Sequence, residues 1–205
     1  MRVQTVLLDL GGVLFYDSWE TMLLTPKLGL ADQLGMPHEI LAQVGRDMWP
    51  QYCVGPTVEA DYWRDLSVKL GVPLTQTILR KLDMLLVPNP SAELLLTAAA
   101  AAGTRSVGIV SDNTSFWYEK QCEALQLSSH VDDRLVFLSF RYGVQKDALP
   151  GLFDVAASYV DPATTMIVED RPRTLERASR LGFVTVQYNM SDEDALTSLL
   201  ARLSQ

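Results

Sequence analysis

The 205-residue sequence predicts an α/β fold, a doubly wound parallel sheet interrupted by a block of helices. Three observations predict it. The stretch Thr5-Val-Leu-Leu-Asp9 is an apolar run ended abruptly by an acid and then by Gly11 and Gly12; such a run is a strand covered on both faces whose end opens on a crevice. From residue 106 onward, short apolar runs alternate with single helical segments, which places helices on both faces of a parallel sheet. Between these regions, residues 17–87 carry apolar residues at three- and four-residue steps and no convincing strand.

The first strand covers residues 5–8. A four-helix unit is expected in the block that follows. Leu23, Leu24, Leu28, Leu30 and Leu34 mark its first apolar stripe, which Pro26 must start, kink or break. A helix over 38–49 follows Pro37, and Pro50 and Gly55-Pro56 mark a turn. Thr57 is the expected N-cap of a helix running to Leu70 and Gly71, and 75–86 completes the block. Pro88-Asn89-Pro90 then separates two domains: residues 1–16 with 88–205, and residues 17–87. Ser91 is the expected cap of a helix through the alanine run, closed by Gly103. Strands at 106–110, 135–140, 165–168 and 184–187 alternate with helices at 116–125, 149–159, 175–181 and 191–203. The first strand joins their sheet.

Composition narrows the function. The chain is 48% hydrophobic, enough for one good core and a small second one, and 17 Lys+Arg face 25 Asp+Glu for a net charge of −8. That balance argues against nucleic-acid and anionic-membrane partners, which demand a basic footprint. No apolar run approaches a bilayer span, and the first residues pass directly into a strand without a cleavable leader, so a soluble, cytoplasmic protein is expected. Cys53 and Cys122 are far apart, as are His38 and His130. No disulfide framework, histidine triad or histidine-rich metal site is indicated.

The chemistry-bearing residues stand at strand ends. The first strand ends at Asp9, the second at Ser111-Asp112-Asn113 and the fourth at Glu169-Asp170, while Lys146 follows the third. In a parallel sheet these ends share one edge. Asp9, Glu169 and Asp170 cannot all ionise together unaided, and a hard cation such as Mg2+ relieves their repulsion. With Lys146 adding positive charge, a phosphate dianion can enter. An aspartate can attack phosphorus, and the Ser111 hydroxyl with the backbone N–H groups of Asp112 and Asn113 can receive the non-bridging oxygens. The glycines let backbone pass close to whatever Asp9 faces.

In this order, the pieces resemble the haloacid dehalogenase-like (HAD) hydrolase superfamily, in the branch with a helical cap inserted after the first strand of a Rossmann-like core. The resemblance covers essentially the whole chain. It implies that Asp9 is the nucleophile, that Ser111 and Lys146 complete the catalytic set, and that Gly12, Asp112 and Asn113 bind substrate. It also implies that Asp170 is the main ligand of Mg2+, assisted by Asp9, Glu169 and the carbonyl of Gly11. The implied activity is a phosphatase forming an aspartyl-phosphate and acting on a small phosphorylated metabolite, sugar phosphates included.

Two departures bear on the reaction. Gly11 stands where most phosphatases of the superfamily carry an aspartate that protonates the leaving group, and Thr174 replaces a further acid. Loss of a general acid costs about 100- to 10,000-fold in rate, least where the leaving group is already stable, as in anomeric sugar, acyl or aryl phosphates. Tyr16 and Asp17 are the nearby candidates for a replacement. The rival readings are a metal-independent haloacid dehalogenase, disfavoured by the acidic pair, a phosphomutase, which Gly11 disfavours, and a binding protein on an enzyme fold. Trp49, Tyr52, Tyr62 and Trp63 are expected to form the core of the helical block, any that faces the crevice favouring a ring-bearing substrate, and at least one of Phe116, Trp117 and Tyr118 to line the pocket entrance. Arg171 and Arg173 are read as solvated loop arginines able to meet a second anionic group.

Overall fold

The computed structural model describes residues 3–101 and 105–203. The chain begins with β1 (Thr5–Leu8) and continues through five helices, α1 (Ser18–Leu24), α2 (Leu30–Leu34), α3 (His38–Tyr52), α4 (Glu59–Leu70) and α5 (Gln76–Asp83). The alternating half follows: α6 (Ala92–Ala100), β2 (Ser106–Ser111), α7 (Ser115–Leu125), β3 (Val136–Leu138), α8 (Ser139–Tyr142) and α9 (Leu152–Ala157). It closes with β4 (Thr165–Glu169), α10 (Pro172–Arg180), β5 (Val184–Gln187) and α11 (Glu193–Leu203).

The five strands form one parallel sheet in the order β3-β2-β1-β4-β5. Its central strand is β1, so Val6, Leu7 and Leu8 are wholly buried. Alternation along the strand divides them. Val6 and Leu8 pack with Leu95, Leu96, Leu199 and Leu203 of α6 and α11, whereas Leu7 packs with Leu152, Phe153, Leu175 and Ala178 of α9 and α10. The continuous apolar run is thus the signature of a two-faced strand. After β1 the chain builds β2 and β3 on one side, then crosses back to lay β4 and β5 on the other. The carboxyl ends of β1 and β4 therefore flank the switch point, where open α/β sheets hold their ligands.

Helices α1–α5 have an apolar cluster of their own, with Trp19, Leu23, Met48, Tyr62 and Leu66 at its centre, joined by Phe116 and Trp117 of α7. There are five helical segments where the spacing suggests four. Pro26 ends the first stripe rather than kinking it. Between α1 and α2 the chain passes through Lys27 at φ 68° before Gly29 starts the next helix. Conversely, α3 continues through Pro50 to Tyr52, because a proline in the last turn removes a single backbone bond.

Two caps also differ. Val58 holds the N-cap of α4, and Thr57 turns its hydroxyl to the carbonyl of Tyr52 at 3.3 Å. At α6, Ser91 makes no side-chain cap; the Asn89 side chain accepts from the Ser91 N–H at 3.0 Å. Gly103 lies outside the described residues. Strand β3 ends at Leu138 because the chain turns at once into α8, closed by Gly143 at φ 72°. Helix α9 covers only the middle of the expected 149–159, starting after Pro150 and Gly151. No helix among the described residues is long and apolar enough to cross a membrane.

Candidate active site

Asp9 follows β1 directly, and its N–H donates to the carbonyl of Val168 at 3.0 Å, so the ladder carries its side chain to the sheet edge. Asp9 is 5% exposed. Its Oδ1 accepts the Leu10 N–H at 2.7 Å and its Oδ2 lies 2.6 Å from Lys146 Nζ. Ser111, the last residue of β2, brings its hydroxyl to the same carboxylate. Lys146 comes from the segment between α8 and α9. Its Nζ also reaches Glu169 Oε2 at 2.5 Å, and its backbone N–H donates to Asp112 Oδ1 at 2.9 Å.

Glu169 ends β4 fully buried, and its Oε1 accepts the Arg171 N–H at 3.1 Å. Asp170 completes an acidic triad with Asp9 and Glu169 whose ligand oxygens lie within 4.8 Å of one another. Asp170 Oδ1 is buried and has no hydrogen-bond partner. Gly12, at φ 76°, makes room for this carboxyl: a Cβ there would lie 2.3 Å from Asp170 Cγ.

Burial sets the electrostatics. It pushes Asp9 up to about 6, reinforced by Glu169 and opposed by Lys146. Asp112 is likewise pushed up to about 6 by burial against the pull of Lys146, and burial raises Glu169 against the same lysine. Burial works against the charge of Lys146, but Asp9, Glu169 and Asp112 outweigh it and raise the lysine further. Lys146, with Arg171 at the cavity wall, thus faces a larger number of carboxylates.

A cavity of about 30 Å3 opens over Asp9, lined by Asp9, Gly11, Asp17, Trp49, Asp112, Lys146, Arg171 and Thr174. The structure gathers Asp9, Ser111, Asp112, Lys146, Glu169 and Asp170 at this edge, while the backbone N–H groups of Gly12 and Asn113 have partners within the protein. The Gly12 N–H donates to the Phe15 carbonyl at 2.8 Å, so the part of this glycine is to admit Asp170. The Asn113 N–H donates to Ser139 Oγ at 2.9 Å and its side chain to Gln121 Oε1 at 2.7 Å; it braces the loop after β2 and does not line the cavity.

None of Phe116, Trp117 and Tyr118 lines the cavity either. Phe116 and Trp117 join the core of the helical block, where Trp117 backs Trp49 with ring centroids 6.1 Å apart. Tyr16 points to solvent at 41% exposure, whereas Asp17 lines the wall. Arg171 is not a free loop arginine. Its guanidinium lies 2.6 Å from Asp17 Oδ2, while Arg173 is 85% exposed. What sequence reasoning did not place is the pairing of Asp17 with Arg171 in this wall. Asp17 carried one signal, an acid at the N-cap of the first inserted helix, where its side chain accepts the Glu20 N–H.

A scan against protein-family models finds no match, and no curated protein is similar in sequence. Solved structures are similar in fold. A HAD-family enzyme of Bacteroides thetaiotaomicron superposes with a TM-score of 0.75 over 97% of this chain and 99% of its own, at 16% identity. It has also been solved in complex with magnesium and inorganic phosphate. A predicted HAD-like hydrolase from Porphyromonas gingivalis gives 0.69 at 23% identity, covering 98% of both chains. A dehalogenase gives 0.69 at 18% identity over 99% of this chain and 98% of its own. The chain has the haloacid dehalogenase-like fold.

Proposed function

We propose that the chain is a Mg2+-dependent HAD-type hydrolase that removes phosphate from a small phosphorylated metabolite. The observation that carries this reading is the buried, unpartnered Oδ1 of Asp170 beside Asp9 and Glu169. Three carboxylates with one oxygen left unsatisfied fit a hard cation that takes oxygen ligands. Asp9, Asp170 and Glu169, with the carbonyl of Gly11, would hold Mg2+, which when bound offsets the charge of an incoming phosphate.

Asp9 Oδ is the nucleophile. Its attack forms an acyl-phosphate as the bond from phosphorus to the leaving oxygen breaks, and water then releases phosphate. Lys146 keeps Asp9 ionised through the 2.6 Å ion pair, and the Ser111 hydroxyl faces the oxygens where charge develops. Residues 17–87 act as a cap over the core formed by 1–16 and 88–205, with Trp49 closing the cavity.

Gly11 offers no proton, so turnover favours leaving groups that are stable as anions, such as anomeric sugar, acyl and aryl phosphates. The similarity to a dehalogenase does not change this preference, because a dense acidic triad repels the carboxylate of a haloacid. The test is phosphate release from p-nitrophenyl phosphate. Mg2+ is expected to be required, and Asp9→Asn to lower the rate by more than about 1,000-fold. Release that persists in Asp9→Asn, or that ignores chelation, would reject the reading.

A further inference from the structure

We propose that the groove between α2 and the end of α5 is a second ligand site, and that it takes an anionic amphiphile, a carboxylate carried on an unbranched aliphatic chain. The groove lies in the helical block and shares no lining residue with the cavity over Asp9, so the proposal stands apart from the phosphatase reading.

Size comes first. The groove holds about 400 Å3, and its walls are Lys27, Leu28, Gln33, Lys81, Met84 and Leu85. That volume falls in the range of small-molecule sites and has room for about a dozen non-hydrogen atoms. A protein partner needs far more, since a stable interface takes about 800 Å2 from each side, and six residues do not supply it. The net charge of −8 disfavours an anionic bilayer surface.

The walls are apolar and open. Leu85 packs on the core of the helical block, but Leu28 is 57% and Met84 77% exposed. Two large apolar side chains meeting water in one concavity leave area that an aliphatic chain would bury. The wall is also preformed. In the turn before α2, the Lys27 N–H donates to Asp32 Oδ2 at 2.6 Å, and Gln33 Nε2 donates to the Leu28 carbonyl at 2.6 Å. A ligand therefore meets a fixed surface and does not have to order a loop.

Charge then selects the head group. Among the described residues, neither the Lys27 nor the Lys81 ammonium has an ion-pair or hydrogen-bond partner. The acids carried by α2 and α5 are already engaged. Asp32 Oδ2 takes the Lys27 N–H and lies 3.2 Å from His38 Nε2, and Asp83 Oδ1 lies 2.7 Å from Lys120 Nζ. Two uncommitted lysines on an apolar groove, in a chain with an excess of acids, complement a carboxylate. Their methylene stems extend the apolar wall.

The experiment is calorimetric titration of the full chain with decanoate, with decanol as the uncharged control and acetate as the chainless one. Decanoate is expected to bind once per chain with a Kd of about 0.01–1 mM. Decanol is expected to bind about tenfold more weakly, and acetate to give no saturable heat. Lys81→Gln and Met84→Gln change exposed side chains, so Tm should hold while each weakens decanoate about fivefold or more. No saturable decanoate binding, equal affinity for decanol, or unchanged affinity in either variant would overturn the proposal. So would growth of the sedimenting mass with protein concentration that Met84→Gln abolishes, which would assign the groove to a second copy of the chain.

Discussion

Gly12 decides where Asp170 can stand. At φ 76° and with the Asp170 carboxyl 2.3 Å from the position of a Cβ, it meets both conditions that exclude a side chain. Gly12→Ala is expected to displace that carboxyl and weaken Mg2+ binding about 10- to 100-fold, read by calorimetric titration; an unchanged affinity would mean that Asp170 does not hold the ion. At this scale the sequence is legible wherever a polar residue ends an apolar run, which is how Asp9, Ser111 and Glu169-Asp170 stand out. It is not legible in how backbone amides are spent. Nothing in Asn113 announces that Ser139, 26 residues away, takes its N–H. Nor does Arg171 reveal that its partner is Asp17, 154 residues earlier.

Helix α7 ties the helical block to the sheet. Ser115 Oγ donates to the Thr57 carbonyl at 2.8 Å, Lys120 reaches Glu59 and Asp83 at 2.7 Å each, and Trp117 packs on Trp49 and Tyr62. This explains why the aromatics after β2 do not line the cavity: Phe116 and Trp117 are core residues of the neighbouring block, and Tyr118 packs in the core of the sheet. Within that block, α1 and α3 approach closely at Gly45, where a Cβ would lie 2.4 Å from the Trp19 ring. Gly45→Ala is expected to cost about 1–3 kcal/mol of stability through overpacking, seen as a fall in Tm. An unchanged Tm would contradict the packing of α1 on α3. Helix periodicity was legible here, but the boundaries were not. Pro26 breaks one helix and Pro50 is absorbed by another, and the difference lies in position along the turn and in tertiary packing rather than in the residue type.

For the whole molecule, the sheet edge concentrates charge that the fold alone does not neutralise. Asp9 and Asp112 rise from 3.8 to about 6, and Asp17 and Glu169 are raised as well, all chiefly by burial. Because the folded state binds these protons more tightly than the unfolded chain, their contribution to stability is present in full below about 3.8 and is lost as pH rises through about 6. The metal-free protein is therefore expected to gain about 1 kcal/mol, or 2–4 °C in Tm, between pH 7.5 and 5.5. Saturating Mg2+ should reduce this gain by favouring the ionised carboxylates. A Tm that falls steadily over that range, with or without Mg2+, would show that the cluster is not strained by its charge. The architecture itself was the most legible level of all. Burial on both faces of a parallel sheet imposes a continuous apolar run at β1 and an alternation of strands and helices after it, and both can be read directly from residue order.

In the proposed reaction Asp9 accepts the phosphoryl group. Acid quenching during turnover of acetyl phosphate with Mg2+, followed by mass spectrometry of the N-terminal peptide, tests it most directly. The expected result is one phosphoryl group on Asp9 in the wild type and none in Asp9→Asn. Turnover with Asp9 unmodified, or with the phosphoryl group on a different residue, would contradict it.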